Sequence, residues 1–212
     1  MREHAAYVFD LDGVVRDFSA GDATPMIEAA LGLPGGSVAA TAFRPDLLVP
    51  TITGQRSFDE WFASICLTLE EVVPEPDRVR EHMQAWRAHR GSPVTESVER
   101  LETLRAGGHR TYLFTNGTDL VPHELELLGL AHLFDGVVNS ADLGVAKPDP
   151  EAFAAAHAVL ERDLGRRLPA GDVWFTDDRR DNVDAARAFG WDAELFTLRG
   201  HPGPSSPTPP EG

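Results

Sequence analysis

The chain has 212 residues, and its 34 Asp+Glu against 19 Lys+Arg give a formal charge of −15 with His neutral. Hydrophobic residues make up 42% and charged residues 25%, the proportions of a folded globular chain, which excludes wholesale disorder. The acidic balance argues against nucleic acid and against an anionic membrane surface, since both need clustered Lys/Arg. No apolar run approaches the roughly 20 residues that span a bilayer.

Met1-Arg2-Glu3-His4 leads into no apolar core of signal-peptide length, because Asp10 and Asp12 interrupt it. The first element expected is a strand, Tyr7-Val8-Phe9, which runs into Asp10-Leu11-Asp12-Gly13. Residues 18–92 then break the pattern. Glu28–Leu31, Phe58–Leu69 and Val79–His89 read as helices with no clear strand between them, so this stretch is expected to be an inserted helical lid. Its single cysteine, Cys66, lies between Ile65 and Leu67 and is expected to be an inert buried thiol. One cysteine cannot form an internal disulfide, which fits a reducing compartment, and the cytoplasm is the expected location.

From residue 93 onward the pattern alternates. Val98, Leu101 and Leu104 mark a helix stopped by Gly107-Gly108, and Thr111–Phe114 is a strand running into Thr115-Asn116-Gly117. Val137-Val138 is a weaker strand. Asp149 and Pro150 supply the N-cap and first residue of a helix that Gly165 ends. Val173-Trp174-Phe175 is a third strong strand and runs into Thr176-Asp177-Asp178. A short helix over Asn182–Phe189, closed by Gly190, and a weak strand at Leu195-Phe196 complete the series. This rhythm predicts an α/β fold, a doubly wound parallel sheet with an inserted helical cap. The expected partition is a core of residues 1–17 and 93–199, a cap of residues 18–92 and a flexible Pro-rich tail of residues 200–212.

Ligands of such sheets collect outside the carboxyl ends of the strands, and all three polar clusters fall there. Gathering Asp10, Asp12, Asp177 and Asp178 in one cleft is costly, since two unit charges 4 Å apart interact by about 4 kcal/mol at an effective dielectric near 20. Lys147 supplies one compensating charge and a divalent ion would supply two more. Oxygen-only ligands without His or Cys select a hard cation, and Mg²⁺ held by few carboxylates is commonly matched to a phosphate substrate. An aspartate can attack phosphorus and form an aspartyl-phosphate. Positioning and charge neutralisation could come from Thr115, the Asn116 backbone amide, Lys147 and the metal.

Singly, these features have plainer explanations. An isolated Asp-x-Asp is usually a solvated turn, Asp177-Asp178 can cap the helix that follows, and Lys147 alone would be a surface lysine. Together they resemble a known family. Phe9-Asp10-Leu11-Asp12-Gly13-Val14-Val15 resembles the first motif of the haloacid dehalogenase-like (HAD) superfamily, and Phe114-Thr115-Asn116-Gly117 is similar to the second. Lys147–Phe153 is similar to the third, and Phe175–Asp178 with Asn182 to the fourth. The four occur in family order over residues 6–198, with a cap between the first two as in the C1-cap subgroup. Within the superfamily, Ser57-Phe58-Asp59-Glu60-Trp61 is most similar to small sugar-phosphate phosphatases and the phosphatase-like domain of epoxide hydrolases.

The resemblance implies a role for each matching residue. Asp10 would be the nucleophile and a metal ligand. Asp12 would be the general acid/base and would offer its backbone carbonyl to Mg²⁺. Thr115 would hold the phosphoryl group, with Asn116 beside it, and Lys147 would pair with Asp10 and that group. Asp178 would bind the metal directly, and Asp177 directly or through water. Asn182 would orient a neighbour. Arg16 and Arg179 depart from the family's commoner residues and could bind a second anionic group on the substrate.

The expected activity is Mg²⁺-dependent hydrolysis of a small phosphorylated metabolite. A 2-haloacid dehalogenase and a phosphomutase are alternatives on the same fold, and a non-enzymatic phosphate- or metal-binding module is a further one. Asp12 counts against the dehalogenase, because dehalogenases resembling this chain lack a second aspartate there. Neither the substrate nor the oligomeric state is legible.

Overall fold

The structure is a computed structural model, and it describes residues 3–197. The expected tail, residues 200–212, lies outside the described residues. Five parallel strands form the central sheet: β1 (Ala6–Phe9), β4 (Thr111–Thr115), β5 (Gly136–Asn139), β6 (Val173–Asp177) and β7 (Asp192–Leu195). Their order is β5-β4-β1-β6-β7, with Tyr7 opposite Thr111 on one side and Trp174 on the other. Four of the five strands match the expected apolar runs, while β7, Asp-Ala-Glu-Leu, shares only Leu195 with the expected Leu195-Phe196 because its alternating polar residues hide it.

Alternation along the strands divides the core in two. Val8, Phe114 and Phe175 point to one face and pack with Phe153, Leu160, Val183, Ala186 and Trp191. These partners come mainly from α9 (Pro150–Leu164) and α10 (Arg180–Phe189). Phe9, Leu113 and Trp174 point to the other face, against Leu101 of α6 (Thr95–Ala106) and Leu125 of α7 (Val121–Leu127). Each such side chain contributes about 1.5–3 kcal/mol by leaving water. Helices on both faces make the sheet doubly wound, as expected.

Between β1 and α6 the chain leaves the sheet and builds α1 (Thr24–Leu31), α2 (Ser37–Ala42), α3 (Pro45–Ile52), α4 (Phe58–Glu70) and α5 (Val79–Ala88). They surround a core of their own that includes Leu31, Val38, Trp61, Ile65, Leu69 and Met83. Helix α4 starts on a capping box, in which Ser57 Oγ accepts from Glu60 N while Glu60 Oε2 accepts from Ser57 N. Cys66 is buried in this core, and burial pushes its thiol up to about 11, which keeps it unreactive.

Two of these helices were not expected from the sequence. Helix α2 is short and alanine-rich, and α3 begins at Pro45 and carries Pro50 inside it, so both lack a clear apolar stripe. Two short strands were not expected either. The outgoing β2 (Arg16–Asp17) and the returning β3 (Ser92–Pro93) pair antiparallel and zip the two connections together.

Candidate active site

The carboxyl ends of β1, β4 and β6 converge on one cleft. Asp10 follows β1, and its amide donates to Thr176 O across 2.9 Å, which sets it beside Asp177, the last residue of β6. Thr115 closes β4 and is buried. Strand order switches direction at β1, and this is where a parallel sheet opens a crevice for ligands.

Lys147 reaches into the crevice from the loop before α9. Its Nζ donates to Asp10 Oδ1 at 2.8 Å, to Asp177 Oδ2 at 2.7 Å and to Phe114 O at 2.8 Å, so all three ammonium protons are used. Burial disfavours the ammonium, but Asp10 and Asp177 outweigh it and hold Lys147 above the ordinary lysine value. Burial and then Asp177 push the Asp10 carboxyl well above its usual range, against the pull of Lys147. Asp10 Oδ2 accepts a hydrogen bond from none of the described residues.

Asp177 is fully buried. Besides Lys147, it accepts from Asn182 Nδ2 at 3.0 Å and from the Arg179 amide at 2.9 Å. Asn182 therefore orients Asp177. Asp178 differs, because its carboxylate has no hydrogen-bond donor among the described residues. Burial, and then Asp177, push its pKa up to about 6. It fits only because residue 13 is glycine: a Cβ there would lie 2.2 Å from Asp178 Oδ2, and the backbone has φ +81°. Glycine at this position serves both the left-handed backbone and the close approach.

Asp10, Asp177 and Asp178 each offer a carboxylate oxygen within 4.8 Å of the others. Three acids face one ammonium, the donors are all oxygen, and Asp178 is without a donor. This set fits a hard divalent cation. The Asp12 side chain is outside that group. Asp177, expected in a secondary position, is the most buried acid of the cluster.

Two arginines expected near the substrate are otherwise engaged. Arg16 is buried, and its guanidinium binds Asp12 Oδ1 and Glu124 Oε2, each at 2.6 Å. It faces the Asp12 carboxylate, and its Nε and Nη1 are taken up by these two bonds. Arg179 forks onto Asp181 at 3.1 and 2.7 Å with its side chain exposed. Asn116 contributes more than its backbone amide. Its side-chain amide brackets the Lys147 backbone, accepting from Lys147 N at 2.8 Å and donating to Lys147 O at 2.7 Å. Glu124 and Arg16 were not read as a pair, since 108 residues separate them and no local pattern links them.

A doubly wound sheet whose carboxyl edge holds a lysine-bridged acid cluster, with a helical unit inserted after the first strand, defines the class of α/β hydrolases to which the comparisons point. The chain belongs to the haloacid dehalogenase-like hydrolase family, whose pattern matches residues 4–190. It is similar to the phosphoserine phosphatase of Thermus thermophilus, with 40% identity over 130 residues. That match spans 60% of this chain and 52% of the relative, about half its length. A phosphatase of Mycobacterium tuberculosis is 30% identical over 216 residues, covering 92% of this chain and 88% of that one.

Among solved structures, a HAD family enzyme of Bacteroides thetaiotaomicron in complex with magnesium and inorganic phosphate has a TM-score of 0.68 at 18% identity, covering 96% of each chain. The L-2-haloacid dehalogenase of Xanthobacter autotrophicus has a TM-score of 0.63 at 21% identity, covering 90% of this chain and 76% of that one. These two likenesses concern the fold. Among the described residues, no helix is long and apolar enough to cross a membrane.

Proposed function

We propose that the chain is a Mg²⁺-dependent phosphatase that hydrolyses a small phosphorylated metabolite through an aspartyl-phosphate on Asp10. The observation that carries this reading is the asymmetry of Asp10: Lys147 holds Oδ1 at 2.8 Å, Oδ2 accepts from none of the described residues, and the carboxylate clusters with those of Asp177 and Asp178. A carboxylate fixed at one oxygen and open at the other is oriented for in-line attack on phosphorus. Residues 1–17 and 93–199 serve as the catalytic core in this reading, and residues 18–92 as the cap that closes over the substrate. Phosphatases among the relatives support the reaction class. The single buried thiol suits the cytoplasm.

Asp10, Asp178 and the Asp12 carbonyl would hold Mg²⁺, with Asp177 directly or through water. When bound, the ion would neutralise charge on the carboxylates and on the phosphoryl oxygens. Thr115 and the Asn116 amide position the phosphoryl group, and Lys147 offsets its charge. Asp10 Oδ2 bonds to phosphorus as the ester P–O bond breaks, and Asp12 passes a proton to the departing alkoxide. Asp12 then takes a proton from the water that cleaves the aspartyl-phosphate.

Phosphate release across a panel of metabolite esters, with Mg²⁺ and with chelator, tests the reading. Turnover should need Mg²⁺, and Asp10→Asn should lower it at least about 1,000-fold while the fold is kept. Retained activity in that variant discards the mechanism. Chloride release from a haloacid in chelator would indicate a dehalogenase, and phosphoryl transfer to a sugar in place of water a mutase. Silence across the whole panel would favour a binding module.

A further inference from the structure

Asp12 carries the proton in the reading above, yet its carboxylate is half-exposed at the edge of the cleft and belongs to a loop. A group there needs something to aim it. The Arg16 Nε donates to Asp12 Oδ1 at 2.6 Å, and the same guanidinium donates through Nη1 to Glu124 Oε2 at 2.6 Å. Arg16 and Glu124 are buried, with side-chain exposures of 5% and 9%. Glu124 projects from α7, which packs on the sheet, so the far end of the chain of contacts is anchored in the core.

The stem of Arg16 is fixed as firmly as its head. A Cβ on Gly91 would lie 2.9 Å from Arg16 Cγ and 2.8 Å from Asp17 O, so the returning connection presses bare backbone onto the arginine. The Arg16 guanidinium also lies 4.7 Å from the ring of Phe18. Arg90, next to Gly91, pairs with Glu124 Oε1 at 3.5 Å and lies over Phe58 of α4. Asp12, Arg16, Glu124 and Arg90 thus form an alternating, charge-neutral row from the cleft to the cap connection.

We propose that Arg16, anchored by Glu124, is the positioning residue for Asp12, holding that carboxyl where it can protonate the leaving oxygen. This rests on the phosphatase reading. The step it serves balances as written: the Asp10 Oδ2–P bond forms, the P–O(ester) bond breaks with its electron pair going to oxygen, and the Asp12 proton goes to that oxygen. Planarity suits arginine to this task, because one fork can hold two carboxylates at fixed angles, whereas lysine offers a point charge.

The test compares kcat/KM for an alkyl phosphate and for 4-nitrophenyl phosphate, since this ratio reports steps up to departure of the leaving group. Alkoxide departure needs the proton, and nitrophenolate departure hardly does. Arg16→Met should lower kcat/KM about 30-fold or more for the alkyl ester and less than about 3-fold for the nitrophenyl ester. Arg16→Lys should fall between, and Glu124→Gln, which keeps the volume of the side chain, should shift the ratio about 3-fold in the same direction. Asp12→Asn should give the same leaving-group pattern, and adding Arg16→Met to it should change the ratio no further.

Equal losses on both esters, or independent losses in the double variant, would make Arg16 a structural residue and overturn the proposal. If Arg16→Met does not fold, an unchanged ratio in Glu124→Gln overturns it instead. The alkyl ester is one the wild type turns over in the metabolite panel, and a wild-type protein silent across that whole panel with Mg²⁺ would remove the phosphatase reading itself, a distinct outcome.

Discussion

The two edges of the sheet use the same chemistry in opposite proportions. At the amino edge of β5, Asp135 accepts from the Thr111 amide at 2.9 Å, from Arg105 at 3.1 Å and from Arg110 at 2.8 Å. Burial works against its ionisation, but the Thr111 amide and the two guanidiniums outweigh it and hold the carboxyl below its usual range. At the carboxyl edge, three acids share one lysine, and Asp10 and Asp178 are pushed the other way. One carboxylate with three donors is a scaffold contact. Three carboxylates with one cation form a site that still lacks positive charge, and this inversion separates function from architecture in the molecule.

Removing Lys147 should break that contrast most severely. Lys147→Met leaves Asp10 and Asp177 buried against each other with no cation, and losing one partner of a buried pair costs about 3–5 kcal/mol. Urea unfolding should register that loss, and phosphate release should vanish with it. Lys147→Arg should not restore activity, because a planar fork cannot place protons on Asp10, Asp177 and Phe114 O together. A Lys147→Met protein as stable as the wild type would mean that the acid cluster is neutralised by other means.

The pH dependence of stability sharpens the comparison, because the two edges have opposite signs. Asp178 titrates near 6 in the folded chain and near about 3.9 when unfolded. Its contribution is full below the unfolded value and is lost as pH rises through about 6. Asp135, lowered on folding, contributes above the unfolded value and loses its contribution as pH falls. Thermal melts in chelator should therefore show a decline between about pH 4 and 6 that Asp178→Asn makes shallower, with Asp10, raised in the same direction, supplying the rest. Mg²⁺ at ten times its Kd should add about 1.4 kcal/mol at pH 7.5, about 3–6 °C in Tm, and much less at pH 4.5, where protons compete for the same oxygens. An equal gain at both pH values would argue against carboxylate ligands.

The sequence made the carboxyl edge more legible than the rest of the molecule. Asp10, Thr115 and Asp177 are each an apolar strand followed at once by a polar residue, so period and punctuation both pointed to the cleft. Strands β1, β4, β5 and β6 and helix α9, with Asp149 accepting from the Glu151 amide, were readable for the same local reason. Helices α2 and α3 were not, because alanine and proline carry no stripe and their positions are set by packing on α4. Helix α7 has seven residues with Pro122 in its first turn, too short for a period to emerge. The Arg16–Glu124 bond and the pairing of Arg16 with Pro93 depend on residues distant in the chain. The sequence thus offers a second anionic group as a partner for Arg16, and only the fold brings Glu124 to it.

The smallest effect expected is at the amino edge, and it completes the comparison. Arg110 is half-exposed and supplies one of the three donors to Asp135. In Arg110→Ala, the Thr111 amide and Arg105 would still satisfy the carboxylate, so no buried charge is stranded. The loss should stay within about 1 kcal/mol, as for exposed ion pairs generally, and should shrink further in high salt. kcat/KM should be unchanged, since neither the cleft nor the cap connection involves this residue. The contrast with Lys147 turns on redundancy: both variants delete one cation beside a carboxylate, but only one leaves that carboxylate with other donors. If urea unfolding found Arg110→Ala as damaging as Lys147→Met, counting donors would not distinguish scaffold from site in this fold.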